Sequence, residues 1–459
     1  MKLSIPYLDK SFPLEIPNEN LLAVAEPNDF RATGSPAEIL GEALARPYGP
    51  ADGPSCAAEK RRGQSLTEFL RGGRRVLLIV NDATRPTPTE AILGSLIPAL
   101  EKGGIKTEDI TLLVATGAHR KPTEEEYHQI LGGFYDRLRV RTIHHDARKD
   151  EDMADLGRTR NGTPILLNKI LFEVDRIIAT GSVEPHYFGG FTGGRKAFLP
   201  GIAAFRTIEA NHKQALSPLS RSLALEGNPV HEDMMDALPL ITAPIFSFMT
   251  VLNKKQQVAA ATAGDLLASF YAAVEVARKI FCVSIPTKAD IVVSAAKFPM
   301  DIDLYQSQKA IDNGALALKD GGTLILISSC RDGIGDEAYA RLMAQASSPE
   351  DALERIRAGY KLGYHKAAKM AAVAGRATIK AVAELSAERL KPLFIEKAPS
   401  PQEALERALK TARDRGIPCP KVLILPDGCV TVPEPALPQS WKKNAGKMKI
   451  VLASPLVEP

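Results

Sequence analysis

Short runs of β-branched and aliphatic residues recur along the chain, each followed by apolar positions at helical spacing. Val76 to Val80 predicts a buried strand with a helix over Glu90–Lys102 behind it, and Ile110 to Ala115 followed by Thr123–Ile130 repeats the unit. Val174 to Ala179 predicts a third strand. Beyond a glycine-rich loop, helices are expected near Ala204–His212 and His231–Leu238, then a strand over Ile245–Leu252 and a helix over Leu266–Phe281. The cycle restarts with strand Ile291–Ser294, helix Tyr305–Ala315 and strand Thr323–Ser328. Strands alternating with helices of ten or more residues mean βαβ units and a mainly parallel sheet. The fresh series after Pro286–Asp290 divides the chain into two α/β domains, residues 1–285 and 286–459. Asp336 to Leu390 reads as almost wholly helical, and the tail returns to strand at Val422–Leu425 and Ile450–Ala453. The Pro/Gly-rich stretch Arg46–Ser55 is expected to be a surface loop.

Composition narrows the class. A chain of 459 residues is too long for one core, and 45% hydrophobic with 24% charged residues is ordinary for a soluble globular protein. A net charge of +4 is weak and no basic stripe interleaved with aromatics stands out, so nucleic acid is not an expected partner. Five scattered cysteines with no CxxC fit a reducing compartment better than a disulfide framework or a zinc site. The first twelve residues carry Lys2, Asp9 and Lys10 and show no apolar core, and no run of 18 apolar residues occurs, so the expectation is a cytoplasmic protein without a membrane span.

Ligands of parallel α/β sheets gather at the carboxyl ends of the strands, and three unusual loops lie at such ends. Asn81-Asp82-Ala83-Thr84-Arg85-Pro86 follows the first strand. It reads either as a turn with a good helix cap or as a site where the planar fork of Arg85 grips a carboxylate or phosphate. Thr116-Gly117-Ala118-His119-Arg120 follows the second, its histidine either structural or catalytic. The third runs from Glu184 through Pro185-His186-Tyr187-Phe188 to Gly193-Gly194-Arg195-Lys196, with four glycines between positions 189 and 194. Glycines there allow backbone N–H groups to approach an anion. Arg195 intervenes before Lys196 and no acidic metal-binding strand accompanies it, which excludes a nucleoside-triphosphate P-loop. His231-Glu232 lacks a second histidine at Met235, and the adjacent His144 and His145 point to opposite faces, so both pairs are read as structural or solvated.

These blocks resemble the nickel-pincer lactate racemases and their relatives. The matching pieces are Asp82-Ala-Thr84-Arg85-Pro86, Gly117-Ala-His119-Arg120, Glu184 to Lys196, Asn211-His212 and Leu304-Tyr305-Gln306-Ser307-Gln308-Lys309, with Tyr360 to Ala367 as a further match, all in family order. The resemblance implies a 2-hydroxyacid racemase or epimerase whose cofactor is a pyridinium-3-thioamide-5-thiocarboxylic acid mononucleotide carrying nickel, covalently joined to Lys196, with His212 as the protein's nickel ligand. A histidine suits the one position that three cofactor donors leave open in a tetragonal site. It further implies His119 and His186 as acid/base groups, Arg85 and Lys309 as the carboxylate grip, Tyr305 and Gln306 as pocket lining, and Asp82, Thr84, Gly193 and Gly194 around the cofactor. Residues from both sides of position 286 then place the site in a cleft between the domains. Proteins that build and deliver the cofactor are implied partners.

Two departures stand out. Met300 occupies a place in Phe298-Pro299-Met300-Asp301 where the family pattern leads one to expect lysine, and no tryptophan lies in the segment Ala358–Leu362, the chain's single tryptophan being Trp441. A remodelled substrate pocket is expected. Epimerisation of a longer polyhydroxy acid is therefore an alternative. An NAD-dependent dehydrogenase is disfavoured because no GxGxxG follows a strand, and a non-catalytic cofactor carrier because both acid/base histidines are retained.

Overall fold

The computed structural model describes residues 1–8, 10–50 and 62–436. Two six-stranded sheets organise them. The first has the order Val258–Gly264, Ile245–Leu252, Arg176–Ser182, Val76–Asn81, Ile110–Ala115, Thr142–His144, parallel throughout except for Val258–Gly264 at one edge. Its central strands are unbroken apolar runs because both faces are covered. Val76, Leu78 and Val80 pack on helix Thr89–Lys102, whereas Leu77 and Ile79 face Phe198 and helix Leu266–Phe281. The alternation of side chains along each strand thus serves two cores at once.

The second sheet is wholly parallel, in the order Ile395–Lys397, Thr378–Val382, Leu318–Ile327, Ala289–Ala295, Val422–Leu425, Leu21–Val24. Helices Leu304–Leu316, Glu337–Ala344, Pro349–Ala358 and Tyr364–Ala374 contribute to the core on one face. Helix Pro401–Asp414 and the hairpin formed by Lys2–Tyr7 and Lys10–Glu15 cover the other. The protein is thus built of two α/β domains with mainly parallel sheets. A division at residue 285 separates the sheets except for Leu21–Val24, which pairs with Val422–Leu425 across nearly the whole length of the chain.

Most predicted elements occur within two residues of their expected ends. The segment 336–390 does not stay helical, because Thr378–Val382 enters the sheet beside Leu318–Ile327. Its sequence Thr-Ile-Lys-Ala-Val holds three β-branched residues interrupted by Lys and Ala, a weak strand signal that pairing completes. His144 and His145 are structural, as expected: His145 is buried, with Nε2 3.0 Å from the Ala203 carbonyl oxygen and Nδ1 3.2 Å from Asn168. Residues 51–55 of the expected surface loop, the strand expected at Ile450–Ala453, Trp441 and Cys56 lie outside the described residues.

Candidate active site

Three neighbouring strands of the first sheet end together, and the three unusual loops leave from those ends. Asp82 follows Val76–Asn81 directly. Thr84 Oγ1 donates to its Oδ1 at 2.7 Å, and His119 Nδ1 lies 2.6 Å from its Oδ2. Burial alone would push this carboxyl up, but the bonds from His119 and Thr84 outweigh it and hold Asp82 below the usual carboxylate range. One oxygen is therefore committed to its own loop and the other to the neighbouring one, while the imidazole of His119 keeps an exposed edge.

The glycine-rich loop doubles back on itself, with Pro185–His186 paired to Gly190–Phe191. Thr192 closes it by donating to the Ser182 carbonyl at 2.9 Å and accepting from the Glu184 N–H at 2.9 Å. Beneath it lies Arg195, fully buried and facing no carboxylate. Its Nη2 donates to the Gly189 carbonyl at 2.8 Å, its Nη1 to the Thr192 and Gly193 carbonyls at 3.3 Å, and its Nε to His231 Nδ1 at 3.0 Å. The guanidinium carbon sits 4.3 Å from the centre of the Phe270 ring. Burial lowers its pKa to about 9, still a cation at neutral pH. This strut turns three loop carbonyls inward. The expected glycines divide accordingly. Gly193 and Gly194 face the core, where a Cβ would meet Val183 Cγ2 at 2.5 Å and Phe270 at 3.0 Å, and the Gly194 N–H is taken by Met249 Sδ at 3.3 Å. Gly189 is the one that faces the site, where a Cβ would stand 3.2 Å from His186 Nδ1 and 3.7 Å from Lys196 Nζ.

Lys196 Nζ lies 3.4 Å from His186 Nε2. Both side chains are half-buried. Burial, then the positive charge of Arg85, drives the lysine pKa well below its ordinary value. Burial, then Lys196, does the same to His186. His212 occupies the last turn of helix Phe205–Lys213, edge-on to Phe188 with ring centres 5.0 Å apart. Its Nδ1 is buried without a hydrogen-bond partner. Burial brings its pKa to about 3, Lys196 adding to the effect and the Ile208 carbonyl opposing it. His212 is thus a neutral imidazole, the form that ligates metal.

The second domain reaches in through helix Leu304–Leu316. Lys309 Nζ is 3.2 Å from Met300 Sδ, the residue that departs from the family pattern. Burial lowers the Lys309 pKa, Glu184 across the cleft opposing. Tyr305 lies one turn before Lys309 on the same face. Among the described residues the Gln306 side chain makes no hydrogen bond and the Arg85 guanidinium neither hydrogen bond nor ion pair, although its charge acts on His186, Lys196 and His212. Helix Tyr364–Ala374 adds a residue to which the sequence assigned no role. His365 bridges Tyr187 and Tyr360, each hydroxyl 3.0 Å from one of its ring nitrogens, and stands edge-on to His212 with ring centres 5.6 Å apart. Its signal was the matching block Tyr360 to Ala367. Tyr360 is also the one aromatic residue in the segment where a tryptophan was sought.

The cleft brings together Arg85, His119, His186, Lys196, His212 and Lys309. Among the described residues no group of three or more His, Cys, Asp or Glu is arranged to hold a metal. A single unpartnered imidazole beside a recessed amine fits a metal whose other donors arrive with a covalently attached cofactor.

The chain resembles known proteins along most of its length. Residues 7–222 match the lactate racemase N-terminal domain family and residues 285–432 the lactate racemase C-terminal domain family. The lactate racemase of Thermoanaerobacterium thermosaccharolyticum is 30% identical over 358 residues, 77% of this chain and 80% of that protein. The lactate racemase of Lactiplantibacillus plantarum is 29% identical over 362 residues, with the same coverage of 77% and 80%. The solved apoprotein of the Thermoanaerobacterium enzyme superposes with a TM-score of 0.84 at 28% identity, covering 95% of this chain and all of that one. A Thermotoga maritima protein shares the fold with a TM-score of 0.62 at 18% identity, covering 88% of this chain and 99% of that one.

Proposed function

The chain belongs to the lactate racemase family, and we propose from that premise that it inverts the α-carbon of a 2-hydroxy acid larger than lactate, with Lys196 as attachment point and His212 as metal ligand of a nickel-pincer nucleotide. The reaction is of the lactate-racemase type and the enzyme is a nickel-dependent isomerase. The observation that carries the assignment is the Lys196 amine, recessed, its pKa lowered by burial, and 3.4 Å from a histidine on a loop held by a buried arginine. When bound, the cofactor supplies an acceptor for the α-hydrogen and its electron pair.

The chain's own residues do the rest. Arg85 and Lys309 approach the substrate carboxylate from the two domains, and a charge-assisted pair of this kind contributes on the order of a few kcal/mol to binding. His119 and His186 serve as the acid/base pair at the substrate hydroxyl. Asp82 and Thr84 act through His119, and Gly193 and Gly194 shape the loop that carries Lys196. Tyr305 and Gln306 line the pocket from the second domain. Closing the cleft keeps water from the transferred hydride. Met300, where the family pattern leads one to expect lysine, and the lack of a tryptophan in Ala358–Leu362 argue for a remodelled pocket that takes a longer side chain. A second reading, epimerisation of a polyhydroxy acid, is favoured by the Tyr187–His365–Tyr360 chain, which sets hydroxyl and imidazole groups beside His212.

No helix among the described residues is long and apolar enough to cross a membrane. The four described cysteines are free, and we infer from them the cytoplasm, together with dependence on proteins that deliver the cofactor.

The test uses protein made in a host that builds the nickel-pincer nucleotide and follows optical rotation with a panel of 2-hydroxy acids, polyhydroxy acids, and their amides and alcohols. Turnover is expected for at least one acid bulkier than lactate and for none of the carboxylate-free analogues. Full cofactor and nickel with no turnover of any 2-hydroxy acid would overturn the reading. A clear preference for lactate would remove the enlarged pocket from it.

A further inference from the structure

The two acid/base histidines are held by partners of opposite kinds. Asp82 is an ionised carboxylate and can only accept, so His119 Nδ1, 2.6 Å from its Oδ2, carries the hydrogen and the lone pair is left on Nε2. At His186 the partner is the backbone N–H of Gly189, which can only donate. His186 Nδ1, 3.1 Å away, must present its lone pair, and the hydrogen sits on Nε2. That Nε2–H faces Lys196 Nζ at 3.4 Å, a contact that works only when the amine offers a lone pair.

Neither partner is free to turn. Thr84 holds the second oxygen of Asp82 at 2.7 Å. The peptide unit that carries the Gly189 N–H also carries the Phe188 carbonyl, and that carbonyl accepts from Asn228 Nδ2 at 2.8 Å. Asn228 is fully buried, its oxygen accepting from Val230 N at 3.1 Å and from Ser220 Oγ at 3.2 Å, so the amide cannot flip without losing these bonds.

We propose that the two histidines are fixed in opposite tautomers, His119 as acceptor of the substrate's hydroxyl proton and His186 as hydrogen donor to the substrate oxygen, with Asp82 and Asn228 as the positioning residues behind them. The tautomers stand on geometry alone, whereas their use rests on the racemase reading. In the first step the O–H bond breaks and its proton passes to His119 Nε2, giving an imidazolium matched by the Asp82 carboxylate. The cofactor, when bound, would supply the acceptor for the α-hydrogen and its electron pair, leaving a carbonyl whose oxygen takes a hydrogen bond from His186 Nε2–H. When the α-hydrogen and its electron pair return to the opposite face, the oxygen recovers its proton from the His119 imidazolium, which restores both resting tautomers. The resting enzyme is therefore primed on the His119 side, and its two proton-handling positions are unequal before substrate arrives.

The tautomers can be read without cofactor. Two-bond 15N–1H correlation spectra of 15N-histidine-labelled apoprotein distinguish an Nδ1–H from an Nε2–H ring, and eight histidines are few enough to assign through His119→Gln and His186→Gln. The expected spectrum has His119 protonated at Nδ1 and His186 at Nε2. Finding both in one tautomer overturns the proposal. Asp82→Asn is expected to populate the Nε2–H form of His119, because an amide can donate back to Nδ1, while His186 stays unmoved. In the loaded enzyme that variant should lose about 10²-fold or more in kcat with KM little changed. An unaltered kcat alongside a switched His119 tautomer removes the base role from His119. Loaded wild-type protein inactive on every 2-hydroxy acid sinks the racemase reading and with it the assigned use, but leaves the tautomers found in the apoprotein untouched. The wild-type spectrum decides them even if Asp82→Asn fails to fold.

Discussion

Lys196 has to be an amine, not an ammonium, before it can be joined to a thioacid. An isolated lysine is charged at neutral pH, and the cleft reverses this by withdrawing water and setting Arg85 and Arg195 near it, with Glu184 the one opposing charge. Lys196→Ala should abolish the covalent adduct and its visible absorbance together, as read by intact mass and spectrum. Lys196→Arg should fail equally, since a guanidinium keeps its charge and is no nucleophile. An adduct surviving in either variant places the attachment elsewhere. His212 is separable from the acid/base pair by the same preparation. His212→Ala should lower nickel content, whereas His119→Ala and His186→Ala should keep nickel and lose turnover. Nickel lost from either of the latter two but retained in His212→Ala would exchange the assigned roles.

The glycine-rich loop is an element with no regular ladder to hold it beyond two residue pairs, so its shape depends on what lies beneath. Arg195 meets three carbonyls and His231 there, and the carbonyls cannot be mutated away. Removing the guanidinium leaves the Thr192 carbonyl and His231 Nδ1 without it in a buried setting, at about 1–3 kcal/mol per group, while the Gly189 and Gly193 carbonyls keep the N–H groups of Phe191 and Lys196. Arg195→Met is therefore expected to destabilise the protein by about 2 kcal/mol or more and to lower the yield of Lys196 adduct, measured by denaturant unfolding and intact mass. Unchanged unfolding would mean that Thr192 and the Pro185–His186 pairing suffice. Much of the loop's chemistry was legible in the sequence, because its glycines, histidine and lysine form one block. Arg195 shows there only as the residue that breaks a P-loop, since nothing in its neighbourhood along the chain shows that it points inward.

Across the whole molecule, the two domains are tied at the cleft by contacts from the segment around helix Tyr364–Ala374. The Leu362 N–H donates to Glu209 Oε1 at 2.9 Å, Lys369 Nζ to the Ser220 carbonyl at 2.8 Å, and Tyr187 pairs with His365 at 3.0 Å. The chain's first residues serve the second domain. Ile5, Leu14 and Ile16 are buried with Ile291 and Ile325, and Leu21–Val24 supplies the edge strand. Burying three such side chains contributes roughly 5–9 kcal/mol, comparable to the whole stability of a typical domain at about 5–15 kcal/mol. Deleting residues 1–24 should therefore leave the second domain unfolded or aggregated even though the cut lies far from it in sequence. A truncated protein with the parent's melting temperature would show that the hairpin only covers a surface.

Sequence alone determined the alternation of strands and helices, because a parallel strand covered on both faces must be an unbroken apolar run, as Val76–Val80 and Ile110–Ala115 are. It also placed the reactive residues at strand ends, because loops at those ends are contiguous blocks of chain. Tertiary structure decided which partners those residues meet. Asp82 and His119 are 37 positions apart, and Phe188 is anchored by Asn228 40 positions on. Hydrogen-bond partners drawn from distant segments set the tautomers of the two histidines, and no local pattern encodes them. The same holds for Leu21–Val24 and Thr378–Val382, short segments whose strand character is completed by the neighbour they pair with.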